Sequence, residues 1–114
     1  MKISVTNQGD IHVLELSGEL DYHSSPELRE KLSALTAKQA PKILVDLSGI
    51  DYMDSSGIAT FVEAFQKTKR YQGRLVLAAL TATVRGVFEI AKLDSIFEIA
   101  PTVAEATGLL GAKA

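Results

Sequence analysis

The sequence has no cysteine. Disulfides, thiolate nucleophiles and cysteine-based zinc or iron–sulfur sites are therefore excluded. Aromatic residues make up only 6% of the chain. No apolar run approaches the length of a membrane span; stretches such as Leu75 to Leu80 are far too short. The start, Met1 to Gly9, alternates apolar and polar residues and lacks the basic flank and apolar core of a signal peptide. Charge of one sign is not concentrated either. Twelve Lys and Arg face 14 Asp and Glu, a net charge of −2, with no basic run longer than Lys69-Arg70. Neither a nucleic-acid partner nor an anionic membrane surface is expected from this pattern. What remains is globular: 114 residues, 46% hydrophobic and 23% charged, a size that predicts one domain over residues 1–114, soluble and cytoplasmic.

Ile3 and Val5 alternate with polar neighbours up to Gln8, Gly9-Asp10 marks a turn, and Ile11 to Leu16 follows, so a hairpin is predicted. Gly18 to His23 reads as a loop. Ser24-Ser25-Pro26-Glu27 starts a helix, with a serine as cap and Pro26 in the first turn, and Leu28, Leu32 and Leu35 give it one apolar face. The apolar run Ile43 to Leu47 predicts a strand covered on both sides, and Ser48 to Asp54 a loop. A second helix begins at Ser55 or Ser56. Ile58, Phe61, Val62 and Phe65 form its buried stripe, Glu63 and Lys67 pair across a turn, and Gly73 is its stop. Leu75 to Ala79 is a further buried strand, Thr81 to Ala91 a helix, and Ile96 to Ile99 a short strand. Thr102-Val103-Ala104-Glu105 has capping-box form ahead of a helix ending near Leu110, with Gly111 to Ala114 frayed. The order β-β-α-β-α-β-α-β-α predicts an α/β domain, a mixed sheet flanked by about four helices.

The segment Asp46 to Ile58 carries the chemistry. A buried strand leads through a loop to a helix N-terminus, where unpaired amides and the dipole favour negative charge. Asp54, Ser55 and Ser56 can each cap that helix; three capping residues in a row exceed what one helix start requires. The surrounding acids Glu19, Asp21, Asp51 and Asp54 read as solvated loop carboxylates. An enzymatic alternative makes Ser55 a nucleophile in a Ser55–His23–Asp21 triad, but the segment has no Gly-x-Ser-x-Gly elbow. The two histidines, His12 and His23, lack metal-ligand spacing, and His12 reads as an exposed strand residue. Walker and Gly-x-Gly-x-x-Gly patterns are absent, so no cofactor is expected.

Several segments together resemble the STAS domain family, specifically the bacterial anti-sigma factor antagonists, over nearly the whole chain. They are Gly18-Glu19-Leu20-Asp21, Leu44 to Ser48, Tyr52-Met53-Asp54-Ser55-Ser56-Gly57, Gly73 to Leu77 and Val84 to Ile90. The resemblance implies a binding module controlled by phosphorylation and not an enzyme. In such proteins the first serine of this Asp-Ser-Ser-Gly element is phosphorylated by an anti-sigma factor that is also a serine kinase. The unphosphorylated form binds that anti-sigma factor and frees the sigma factor; a PP2C-type serine phosphatase restores it. Carried over, Ser55 is the acceptor, and Asp21, Met53, Asp54, Ser56, Gly57 and Ile58 form the partner surface. Met53 is expected partly exposed there, and Asp21 is expected to serve binding with little part in stability. The sequence departs from the family at Leu80-Thr81-Ala82-Thr83, where Ser-Pro or Asn-Pro is usual, and at Lys92, where glycine is common. The alternative implied by the same resemblance is a STAS subunit docking on a transporter or a stress-signalling assembly without a sigma factor.

Overall fold

In the computed structural model, which describes residues 1–111, five strands and four helices follow one another in the predicted order. They are β1 (Lys2–Gln8), β2 (Ile11–Leu20), α1 (Ser25–Ala37), β3 (Lys42–Met53), α2 (Ser55–Arg70), β4 (Arg74–Ala78), α3 (Ala82–Ile90), β5 (Glu98–Ala100) and α4 (Val103–Leu110). The strands lie in the order β1-β2-β3-β4-β5; β1 is antiparallel to β2 and every other pair is parallel. Fraying at 112–114 lies outside the described residues.

Side-chain alternation divides the sheet into two faces. Leu14, Leu16, Ile43, Val45, Leu47, Leu75 and Leu77 pack with Leu28 and Leu32 of α1, Phe61 and Ala64 of α2, and Val84 and Phe88 of α3. On the other face Ile11, Val13, Leu44, Val76 and Ala100 meet Ala106 and Leu110 of α4. A parallel strand covered on both sides needs apolar residues on both faces, and β4 has them from Leu75 to Ala78.

Both strands that lead to the Asp-Ser-Ser-Gly element run further than expected. β2 continues through Gly18 to Leu20, and β3 through Ser48 to Met53. Register shifts between Glu15 and Ser17 and between Gly18 and Glu19 interrupt the pairing, which then resumes as far as Leu20 opposite Met53. The bulges break the period of two: Leu47, Ile50 and Met53 are buried at intervals of three, a pattern that hides a strand in the sequence. Gly49 sits where a Cβ would lie 2.7 Å from the Leu16 carbonyl, so only glycine lets β2 and β3 stay paired there.

Helix ends also differ from expectation. Gln72, not Gly73, holds the left-handed position after α2, with the Gly73 N–H bonded to the Thr68 carbonyl in a Schellman turn. Gln39 and Lys92 take the same backbone conformation after α1 and α3. The glycine common after the third helix of the family is thus replaced at Lys92 without loss of the turn. At the other end of α3, Thr81 accepts the Val84 N–H and donates to the Ile50 carbonyl, so it caps the helix and ties it to β3 within the segment that departs from the Ser-Pro or Asn-Pro pattern. Thr102 caps α4 by accepting the Glu105 N–H, as its motif predicts, and Glu63 pairs with Lys67 at 3.2 Å and with Arg29 of α1 at 2.9 Å. The last strand begins at Glu98, two residues beyond the predicted Ile96. His12 is half-buried; burial first and Lys38 second hold its imidazole below the usual range.

Candidate functional site

The adjacent parallel strands β2 and β3 end together, and each hands over to a helix at the same edge of the sheet. The Asp54 N–H, just beyond the last pair, donates to the Leu20 carbonyl (3.2 Å). The chain then turns into α2, with Ser55 as its first residue.

Asp54 is the cap. Its Oδ1 accepts the Ser56 N–H at 2.8 Å, and its Oδ2 accepts the Tyr22 N–H at 3.2 Å from the β2–α1 loop. One carboxylate thus serves the helix start and the neighbouring loop at once. With the cap filled, the Ser55 hydroxyl is spare: it is solvent-exposed, and among the described residues it makes none of the hydrogen bonds that hold this corner. Ser56 is half-buried, and its carbonyl accepts from the Thr60 hydroxyl. Of the three candidate caps Asp54, Ser55 and Ser56, the structure gives the cap to Asp54 and leaves Ser55 at the surface.

Gly57 is buried under the first turn. A Cβ there would lie 2.6 Å from Met53 Cγ and 3.0 Å from Leu20 Cδ2. Glycine lets α2 settle on the ends of both strands, which fixes where Ser55 emerges. Met53 is correspondingly only 3% exposed, so it supports the site from beneath and does not face a partner. Ile58 is half-buried and packs against the main core.

Asp21 is no free loop acid either. Its Oδ1 accepts the N–H groups of His23 (2.9 Å) and Ser24 (3.0 Å), and its carbonyl accepts the Ser25 N–H at 2.8 Å. It caps the turn that opens α1, a task the sequence suggested for a serine; the Ser24 hydroxyl instead donates to the Glu19 carbonyl. The N–H of Ser24 is the largest influence holding the Asp21 carboxyl below its usual range, helped by the Ser24 hydroxyl and the His23 N–H. A carboxyl with a depressed pKa stabilises the fold above its ordinary range and stops doing so as pH falls through the folded value. Because its carboxylate accepts two backbone N–H groups, Asp21→Ala is expected to lower the melting temperature at neutral pH. In thermal scans the gap between variant and wild type should close as pH falls below about 4. A gap that is absent at neutral pH, or constant with pH, would exclude the capping role.

The triad does not assemble. The Asp21 carboxylate is committed to its own loop, and the His23 ring stands edge-on to Tyr22 at 5.7 Å. Among the described residues no group of three or more His, Asp or Glu converges as a metal site would, and no helix is long and apolar enough to cross a membrane. Tyr22 and Tyr52, at the ends of β2 and β3, are 74% and 47% exposed. Tyr52 belongs to the element that carries the resemblance, whereas Tyr22 lies in the stretch read as a loop and was given no role.

Comparison with known proteins agrees with this geometry. The STAS domain model matches residues 2–106. The anti-sigma-B factor antagonist of Bacillus subtilis is 39% identical over 93 residues, 82% of this chain and 84% of that protein. An anti-sigma factor antagonist from Mycobacterium paratuberculosis shares the fold with a TM-score of 0.88 at 24% identity, covering 96% of this chain and 92% of that one. The Bacillus cell fate determinant SpoIIAA in its phosphorylated form superposes with a TM-score of 0.77 at 25% identity, covering 96% and 99%. A one-domain α/β fold, a helix start with an exposed serine and these relatives converge: the chain belongs to the STAS domain family, among the anti-sigma factor antagonists, which are binding regulators and not enzymes.

Proposed function

We propose that this protein is a phosphorylation-controlled anti-sigma factor antagonist with Ser55 as its switch. In the unphosphorylated form it binds a cytoplasmic anti-sigma factor that is also a serine kinase, and so releases a sigma factor. That kinase phosphorylates Ser55 and ends the interaction, and a PP2C-type serine phosphatase reverses it. One observation carries the reading: Asp54 fills the cap of α2, so the exposed Ser55 hydroxyl is not needed to hold the helix start and can be modified without uncapping α2. The α2 dipole supports it further, because the first turn of the helix holds no acidic residue and its last turn holds Lys67, Lys69 and Arg70. A known phosphorylated form of a relative with the same fold is consistent with it.

The partner surface comprises Asp21, Asp54, Ser56 and Ile58 around Ser55, while Met53 and Gly57 act from below by holding α2 in place. Incubation with the kinase and ATP, followed by fragment mass analysis, is expected to place one phosphate on Ser55. Ser55→Ala should abolish labelling and Ser56→Ala should not. Full labelling of Ser55→Ala would overturn the assignment.

A further inference from the structure

Tyr22 is the most exposed aromatic residue beside the switch, and its backbone N–H is bonded to the same carboxylate that caps the switch helix. Resting on the reading of Ser55 as the modified residue, we infer that Asp54 is a coupling residue. A phosphate on Ser55 loosens its hold on the Tyr22 N–H, so that the Tyr22–His23 loop responds along with Ser55.

The groups needed are adjacent. Asp54 and Ser55 are neighbours in sequence, so a dianionic phosphate on Ser55 stands beside the Asp54 carboxylate. The phosphate repels that carboxylate and also competes for the amide-rich helix start, where anions are favoured. The two bonds of Asp54 do not resist equally. The bond to Ser56 N–H is 2.8 Å and closes a turn two residues long; the bond to Tyr22 N–H is 3.2 Å and spans 32 residues of sequence. The longer, exposed bond yields first.

What yields matters for recognition. A specific interface covers about 800 Å² on each partner. A protein that brings a catalytic group to Ser55 therefore covers a patch that extends to Tyr22, which is one hydrogen bond from the residue before Ser55. Exposed tyrosines at the centre of such patches supply much of the binding energy. The loop is otherwise held by Asp21 and Ser24, so its response is local and α1 stays in place.

The test uses the full chain with phosphoserine placed at position 55 during translation, so no kinase is needed and a failure of the kinase assignment is seen separately. The readout is the Tyr22 amide proton by nuclear magnetic resonance. On going from serine to phosphoserine it should shift upfield and exchange at least tenfold faster. Asp54→Asn keeps one carbonyl-type acceptor for the Ser56 N–H and loses the second. In that variant the Tyr22 amide should exchange fast already with serine at 55, and phosphoserine should add less than twofold. Amides within α1 serve as the check that the domain stays folded. An unchanged Tyr22 amide in the phosphoserine form, or an equal acceleration in Asp54→Asn, would overturn the coupling.

Discussion

Phosphate on Ser55 is expected to lower affinity for the anti-sigma partner at least about a hundredfold while leaving the unfolding temperature within a few degrees. The modification adds about −1.5 to −2 charges at neutral pH. Against a net charge of −2 for the whole chain, that roughly doubles the charge and concentrates it at one point. Within the free protein the added charge meets the positive end of a 16-residue helix, an interaction of about 0.3–1 kcal/mol. Repulsion from Asp54 opposes it, and the two nearly offset. At the interface there is no such offset. A charge and three oxygens enter a surface shaped for a hydroxyl, and like-charge contacts or an unpaired buried charge cost several kcal/mol. Each 1.4 kcal/mol is tenfold in affinity, which gives at least about a hundredfold. Ser55→Asp should reproduce only part of this, with one charge and fewer acceptors. Calorimetric titration of the kinase with both forms, together with thermal unfolding of each, checks the claim. Equal affinities would remove the switch; loss of binding accompanied by collapse of the fold would remove its local mechanism.

The framework that carries Ser55 was legible in the sequence because it obeys simple periodicities. The apolar runs of β3 and β4 and the Thr102 cap each follow a single rule of spacing and were found where expected; of the stripe predicted on α2 only Phe61 is fully buried, with Ile58, Val62 and Phe65 half-buried at the edge of the core while Gly57, Thr60, Ala64 and Thr68 face inward. The site itself is built from exceptions. Both bulges add their extra residue to β3, whose buried positions Leu47, Ile50 and Met53 fall three apart, so that strand end reads as a loop. Asp54 was among the expected caps of α2, but the turn into α1 went to Asp21 rather than to a serine; each aspartate reaches two backbone amides at once, and for Asp54 one of them belongs to another segment. No local pattern reveals a bond across 32 residues. Met53 was misplaced for a related reason. Its burial depends on the absence of a side chain at Gly57, a contact created only when α2 folds back over the strand ends. Gln72 shows the same limit, since the left-handed turn after α2 falls one residue before the glycine that seemed to announce it.

Phe61→Ala is expected to destabilise the domain by about 3–5 kcal/mol, the usual range for removing a fully buried phenylalanine. The ring is completely buried on the sheet-facing side of α2, and its centroid lies 6.3 Å from that of Phe88 on α3. Phe88 in turn stands edge-on to Phe97 at 5.4 Å, and Phe97 is 5.0 Å from Phe65 back on α2. The four rings therefore join α2, α3 and the segment leading to β5 into one cluster, and truncating Phe61 leaves a cavity at its α2 end. Domains of this kind have only about 5–15 kcal/mol in total, so the loss is a large share of it. The melting temperature should fall by about 15 °C or more. In urea the midpoint should drop with the slope unchanged, as for a loss of stability without a change in the unfolded state. The consequence for function follows from where the ring sits. Phe61 lies six residues after Ser55 on the same helix, and it holds the helix whose first turn rests through Gly57 on Met53 and Leu20. Below the new midpoint the variant should still accept phosphate at Ser55, because Asp54, Gly57 and the strand ends remain to place the hydroxyl. Phosphorylation at 20 °C that persists while the midpoint falls would assign Phe61 to seating the helix. A loss of stability under 1 kcal/mol would instead mean that the cluster repacks and that α2 is held by its other contacts.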